Sequence, residues 1–281
     1  MVRIITDSAA DFEPVELERM NIACIPLSVL IGGKEYRENL DITKNQYYEL
    51  LAQTKEFPKT SQPAPHLLKE LFEDAAANGD EAIFITLSSG LSGTYQSSVM
   101  IKNDLGFENC YVVDSLNGTG GERMVVEYAV RLRDEGKGAA EIVEKIEALR
   151  SRVVLYACMD TLEYLYRGGR ISHTAYTLGS LTQIKPILHV DPEGRAEIPA
   201  KMMGMRKGMD FMCKKIQTVK PDPEFPVYIM YTYNRKNGEV LAQRVRDMGY
   251  DVPDERIINV GAVVGSHIGP QACGIVYIGE K

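Results

Sequence analysis

Six consecutive residues, Ser88-Ser89-Gly90-Leu91-Ser92-Gly93, crowd three hydroxyls and two glycines into one short stretch. The apolar run 81–85 precedes it and a helix-forming run, 94–105, follows it, so the stretch reads as a crossover from a strand into a helix start. A helix start presents unpaired N–H groups and partial positive charge, which suits an anion. The glycines let a ligand approach the backbone. No Lys or Arg stands inside the stretch, and a nucleoside triphosphate site usually supplies one. The expected ligand therefore carries a single small negative charge, such as a carboxylate.

Two further positions could reach such a group. Thr60 and Ser61 precede Pro63 in the segment TSQP, where a hydroxyl before proline at a helix start is an ordinary N-cap. One hydroxyl can cap while its neighbour faces a ligand. His267 sits in the glycine-rich, mostly apolar segment 261–274, which reads as a turn. An imidazole donates to a carboxylate, although a lone histidine in such a setting is more often structural.

Other chemistries fit these residue types less well. A serine hydrolase or acyltransferase would use Ser92 as its nucleophile, but the elbow motif needs G-x-S-x-G, and here Gly93 follows Ser92 directly. A dinucleotide site would use Gly118-Thr119-Gly120, but its third glycine would fall at Arg123. The four histidines lack close pairing and cysteine neighbours, so no metal site is expected.

The elements that must position these residues follow from periodicity. Strands are expected at 2–8, 81–85 and from 110, with helices after each, Asp11 capping the first of them and Gly32-Gly33 turning a hairpin. Strand–helix alternation argues for a mainly parallel sheet with helices on both faces. In such sheets ligands sit beyond the carboxyl ends of the strands. The segments TDS, TSQP, SSGLSG and DSLNGTGG are expected to converge there. Near residue 150 the pattern changes to strands and helices of an α+β type. The expectation is thus two domains, an N-terminal three-layer α/β/α domain over 1–150 and a C-terminal α+β domain over 151–281, with the ligand tunnel between them.

Composition sets the remaining bounds. The chain has 281 residues, 44% apolar and 25% charged, with a net charge of −7. That acidity argues against nucleic acid as a partner. No apolar run approaches the roughly 18 residues of a membrane span, so no stable membrane insertion is expected. The first residues lack a signal-peptide pattern, and the five scattered cysteines read as reduced residues of a cytoplasmic protein.

Seven blocks taken together resemble the DegV family of bacterial fatty-acid-binding proteins: TDSAAD (6–11), KTSQP (59–63), LSSGLSGTYQSS (87–98), VVDS (112–115), LEYLYRGGRIS (162–172), GSLTQIKPIL (179–188) and GAVVGSHIGP (261–270). The resemblance spans essentially the whole chain. It implies a carrier rather than an enzyme, with no cofactor and one long-chain fatty acid as ligand. Its carboxylate would be held by Thr60 and Ser92, with His267 near the same head group. It also implies a partner, a fatty acid kinase that phosphorylates the presented acid to an acyl phosphate. Arg167 and Arg170 would suit docking of that kinase. Many relatives carry Lys-x-Arg where this chain has Lys201-Met202-Met203, so docking through that arginine would differ here.

Overall fold

Alternation with period two places successive strand residues on opposite faces of a sheet, and the first sheet follows that rule closely. In the computed structural model, which describes residues 1–177 and 183–281, strand β1 (Val2–Asp7) sends Ile4 to one face and Ile5 to the other. Strand β2 (Ile22–Ile25) follows helix α1 (Pro14–Met20). The hairpin β3 (Ser28–Ile31) and β4 (Lys34–Arg37), helix α2 (Lys44–Gln53), strand β5 (Lys59–Ser61) and helix α3 (Pro65–Ala77) come next. Then β6 (Glu81–Thr86), α4 (Thr94–Leu105), β7 (Cys110–Asp114), α5 (Gly120–Asp134) and α6 (Ala139–Arg150) complete the first half.

The order β2-β1-β6-β7 is parallel throughout. Ile4, Ile83 and Ile85 pack on α5 and α6, while Ile5, Ala82 and Phe84 pack on α3. A second sheet, β4-β3-β5, is antiparallel and pairs Val29 with Thr60.

The second half runs β8 (Val153–Cys158), α7 (Glu163–Arg167), α8 (His173–Thr177), β9 (Ile184–Val190), β10 (Ala196–Met203), α9 (Gly204–Thr218), β11 (Tyr228–Tyr231), α10 (Arg235–Asp247), β12 (Ile257–Asn259), α11 (Ala262–Ile268) and β13 (Cys273–Ile278). Its sheet, β10-β9-β8-β13-β11-β12, is antiparallel except for the β11–β12 pair. Helices α9 and α10 cover one face; Leu155, Leu188, Met230 and Val276 on the other face pack towards Met124 of α5. Helix α5 is therefore wedged between the two large sheets, which explains why Gly120–Val126 is buried all round. A Cβ on Gly120 would meet Val276 Cγ1 at 2.7 Å, so only glycine lets the helix start come this close.

Three expectations change. Asp11 does not cap α1, whose N-cap is Glu13; it lies buried with φ 60° and binds groups across the fold. TSQP is not a helix cap, because Thr60 and Ser61 belong to β5 and Ala64 occupies the N-cap of α3. The segment around His267 is a helix, not a turn. Part of the GSLTQIKPIL block, with the residue before it (178–182), lies outside the described residues.

Candidate functional site

A cavity of about 590 Å³ lies between the two large sheets and the small one. Thr60, Ser92 and His267 all line it. Of the four polar segments expected to converge, TSQP, SSGLSG and DSLNGTGG contribute lining residues; TDS does not, and serves underneath. There the buried Asp7 carboxylate accepts the N–H of Leu87 at 2.9 Å and that of Ala9 at 3.0 Å, fixing the loop after β6. Burial pushes the Asp7 carboxyl up to about 6.

The hydroxyl-rich loop divides its labour. Ser88 is buried and donates to the carbonyl of Gly194 at 2.7 Å. The Ser89 N–H binds Asp114 at 3.1 Å. Of its three serines only Ser92 faces the cavity, with its Oγ 2.9 Å from Thr94 Oγ1 and 3.3 Å from the Thr94 nitrogen in the first turn of α4. Gln62 draws the neighbouring segment against it: its side chain receives a hydrogen bond from Ser97 Oγ and lies where a Cβ on Gly93 would stand. Thr60 and Ser92 both line the cavity.

His267 reaches Thr60 from the far end of α11, with Nε2 2.9 Å from Thr60 Oγ1. Its Nδ1 is buried with no hydrogen-bond partner, so the proton is assigned to Nε2, which donates to Thr60. The Thr60 hydroxyl is then free to donate into the cavity. Burial, reinforced by the charge of Arg170, lowers the imidazole to about 3, so it is neutral at physiological pH. Ser92 and His267 share no hydrogen bond; each has a threonine as its partner, so the pairing that a serine nucleophile requires is not made.

The RGGR segment contributes to the site itself. Gly168 is where His267 packs: a Cβ there would stand 2.1 Å from Nδ1. Arg170 is half-buried and lines the cavity, its Nε donating to the Leu91 carbonyl at 3.0 Å. Its other described bond is to the Gly168 carbonyl, and among the described residues no carboxylate forms a salt bridge with it. Burial lowers its pKa. Arg167 instead pairs with Glu163 at 2.9 Å and lies 4.0 Å over the Phe57 ring. The sequence showed Arg170 and its flanking glycines, but nothing local marked that it faces inward.

The cavity lining is mostly apolar, with polar side chains from Thr60, Ser61, Gln62, Ser92 and Arg170 and, elsewhere, from Thr119 and Thr232. Ser61, Gln62 and Pro65 are exposed and form its opening. Leu155, Ala157, Val190, Met230, Val260 and Ile268 are buried and line it further in. A guanidinium that pairs with no carboxylate among the described residues lies with two hydroxyls in a mostly apolar cavity, an arrangement chemically suited to an amphiphile with an anionic head.

Comparison with known proteins places the chain in a family. The family model described as "Uncharacterised protein, DegV family" matches residues 1–280. A DegV domain-containing protein of Clostridium acetobutylicum is 33% identical over 279 residues, covering 99% of this chain and 98% of the relative. The structure is similar to that of a Thermus thermophilus DegV family protein described for its fatty acid binding, with TM-score 0.89, 28% identity and 99% of each chain covered. It is also similar to a Streptococcus agalactiae fatty-acid-binding DegV family protein, with TM-score 0.88, 25% identity and coverage of 100% and 99%.

Proposed function

The chain belongs to the DegV family, and from that premise we propose that it is a non-enzymatic carrier of one long-chain fatty acid. In this reading Thr60 and Ser92 donate to the carboxylate, His267 orients Thr60, and the Arg170 guanidinium supplies the opposite charge. The observation that carries it is the half-buried Arg170, which pairs with no carboxylate among the described residues, with two hydroxyls in a mostly apolar cavity. A cavity of about 590 Å³ is within the range of sites that enclose a small organic ligand. Burying the acid's tail contributes about 0.8 kcal/mol per CH₂, which offsets desolvation of a head group that is fully hydrogen-bonded.

The same placement supports presentation of the acid to a fatty acid kinase. Ser61 and Gln62, next to Thr60 in the chain, form the opening, so a bound carboxylate faces the surface while the tail stays covered. Residues 1–150 supply Thr60 and Ser92, and residues 151–281 supply Arg170, His267 and much of the apolar lining.

Native mass spectrometry of the purified protein is expected to show one retained fatty acid. The double variant Thr60→Ala, Ser92→Ala is expected to lose most of it, since each donor removed from a buried charge costs on the order of 1–3 kcal/mol. Full retention in the double variant overturns the head-group assignment; a ligand-free wild type that takes up no added palmitate overturns the function.

A further inference from the structure

Beneath the mouth of the cavity, two carboxylates from distant segments close on the first turn of α11. Glu38 Oε1 accepts the N–H of Val263 at 3.1 Å, and its Oε2 accepts the hydroxyl of Ser8 at 2.7 Å. Asp11 Oδ1 accepts the N–H of Gly261 at 2.7 Å, and its Oδ2 accepts the Thr119 hydroxyl. Both acids are buried. Both press on one glycine: a Cβ on Gly261 would stand 2.2 Å from Glu38 Oε1 and 2.8 Å from Asp11 Oδ1. Val263 and His267 are four residues apart on α11, so they share a helix face. Whatever holds Val263 therefore also sets where His267 meets Thr60.

We infer that Glu38 is a positioning residue for the head-group site: it clamps the start of α11, and the clamp exchanges a proton with solvent because two carboxylates share one glycine. This rests on the carrier reading above. The groups facing Glu38 are Asp11, Lys44, Tyr47, Tyr48 and Cys24. Burial pushes both tyrosines and the Cys24 thiol upward, so they stay neutral. Lys44 is raised by its acidic neighbours and stays charged, with Nζ bound to the Asp11 carbonyl at 2.9 Å and to Glu13 at 2.8 Å. One ammonium group thus serves several acids. Burial, then the Asp11 charge, pushes Glu38 up to about 7. The Val263 N–H and the Ser8 hydroxyl both donate to the ionised carboxylate and pull against that rise, so the clamp is strongest above about 7 and weakens as Glu38 takes up a proton below it. The hold on the head group is then weaker at pH 6 than at pH 8.

The test loads delipidated full-length protein with cis-parinaric acid and follows its transfer to excess phosphatidylcholine vesicles at pH 6 and pH 8. Wild type is expected to release the probe severalfold faster at pH 6. Glu38→Gln keeps an acceptor for the Val263 N–H and carries no charge at either pH, so its two rates are expected to coincide. Glu38→Ala removes the clamp and is expected to release the probe about tenfold faster at both pH values. Equal pH dependence in wild type and Glu38→Gln overturns the inference. Failure of wild type to take up the probe overturns the carrier reading instead. The clamp is then read from the ¹⁵N resonance of His267 Nε2, expected to move between pH 6 and pH 8 in wild type alone. Identical movement in Glu38→Gln overturns it.

Discussion

Acidification should unfold this protein partly through one imidazole. His267 has an ordinary value of 6.5 and is lowered to about 3 by burial and then by the charge of Arg170. A base lowered on folding is neutral in the native state and charged in the unfolded one, so its contribution is present above 6.5 and is lost as pH falls towards 3. Between pH 7 and pH 5 the unfolded chain takes up this proton and the native state does not. With about 1.36 kcal/mol per pH unit, and only the span below 6.5 counting, the loss is about 2 kcal/mol. For a chain of 281 residues, an unfolding entropy of about 2.1 cal/mol/K per residue turns that into roughly 3–4 °C of Tm. Two buried acids act in the opposite sense: Asp7 at about 6 and Glu38 at about 7 stabilise the native state as they protonate. They are common to wild type and to His267→Gln, so the difference between the two proteins isolates the imidazole. Urea unfolding of delipidated protein at pH 7 and pH 5 is the assay. Wild type should lose about 2 kcal/mol more than His267→Gln. Parallel losses in the two proteins would refute the neutral, buried imidazole and with it the proton assignment on Nε2.

Two further perturbations address the RGGR segment. Gly168→Ala places a methyl group 2.1 Å from His267 Nδ1, so the ring must leave Thr60. Overpacking of this kind costs about 1–3 kcal/mol, and both thermal stability and fatty acid retention should fall, whereas unchanged retention would separate His267 from the head group. Arg170→Gln removes the charge that helps to lower His267. An NMR titration should find the imidazole value raised in that variant, and extraction should recover less bound acid. An unmoved titration would show that the guanidinium does not face the ring.

Much of the first half was legible because its signals are local. Ile4 and Ile5, or Phe84 and Ile85, alternate between two buried faces, and helices with apolar stripes follow each parallel strand. Thr43 caps α2 within its own segment and Gly32-Gly33 turns its own hairpin. In the second half β10 carries little local signal, because its residues are only partly buried and include Pro199 and Lys201, and β12 has only three residues. The helix around His267 looked like a turn because Gly261 and Gly265 resemble breakers. They serve packing instead: a Cβ on Gly265 would stand 2.3 Å from Tyr48 Oη.

The sequence by itself determined which groups are available: hydroxyls at 60 and 92, an imidazole at 267, a guanidinium at 170 and apolar side chains for a lining. Tertiary structure alone decided which of them meet. Thr60 and His267 are 207 residues apart, and their contact depends on β5 pairing with β3, on α11 being held by Asp11 and Glu38, and on Gly168 leaving room for the ring. Arg170 became a cavity residue only when its Nε reached the Leu91 carbonyl. Periodicity and capping are written into neighbouring residues, whereas the direction of a side chain across two sheets is fixed by packing between segments that do not adjoin in the chain.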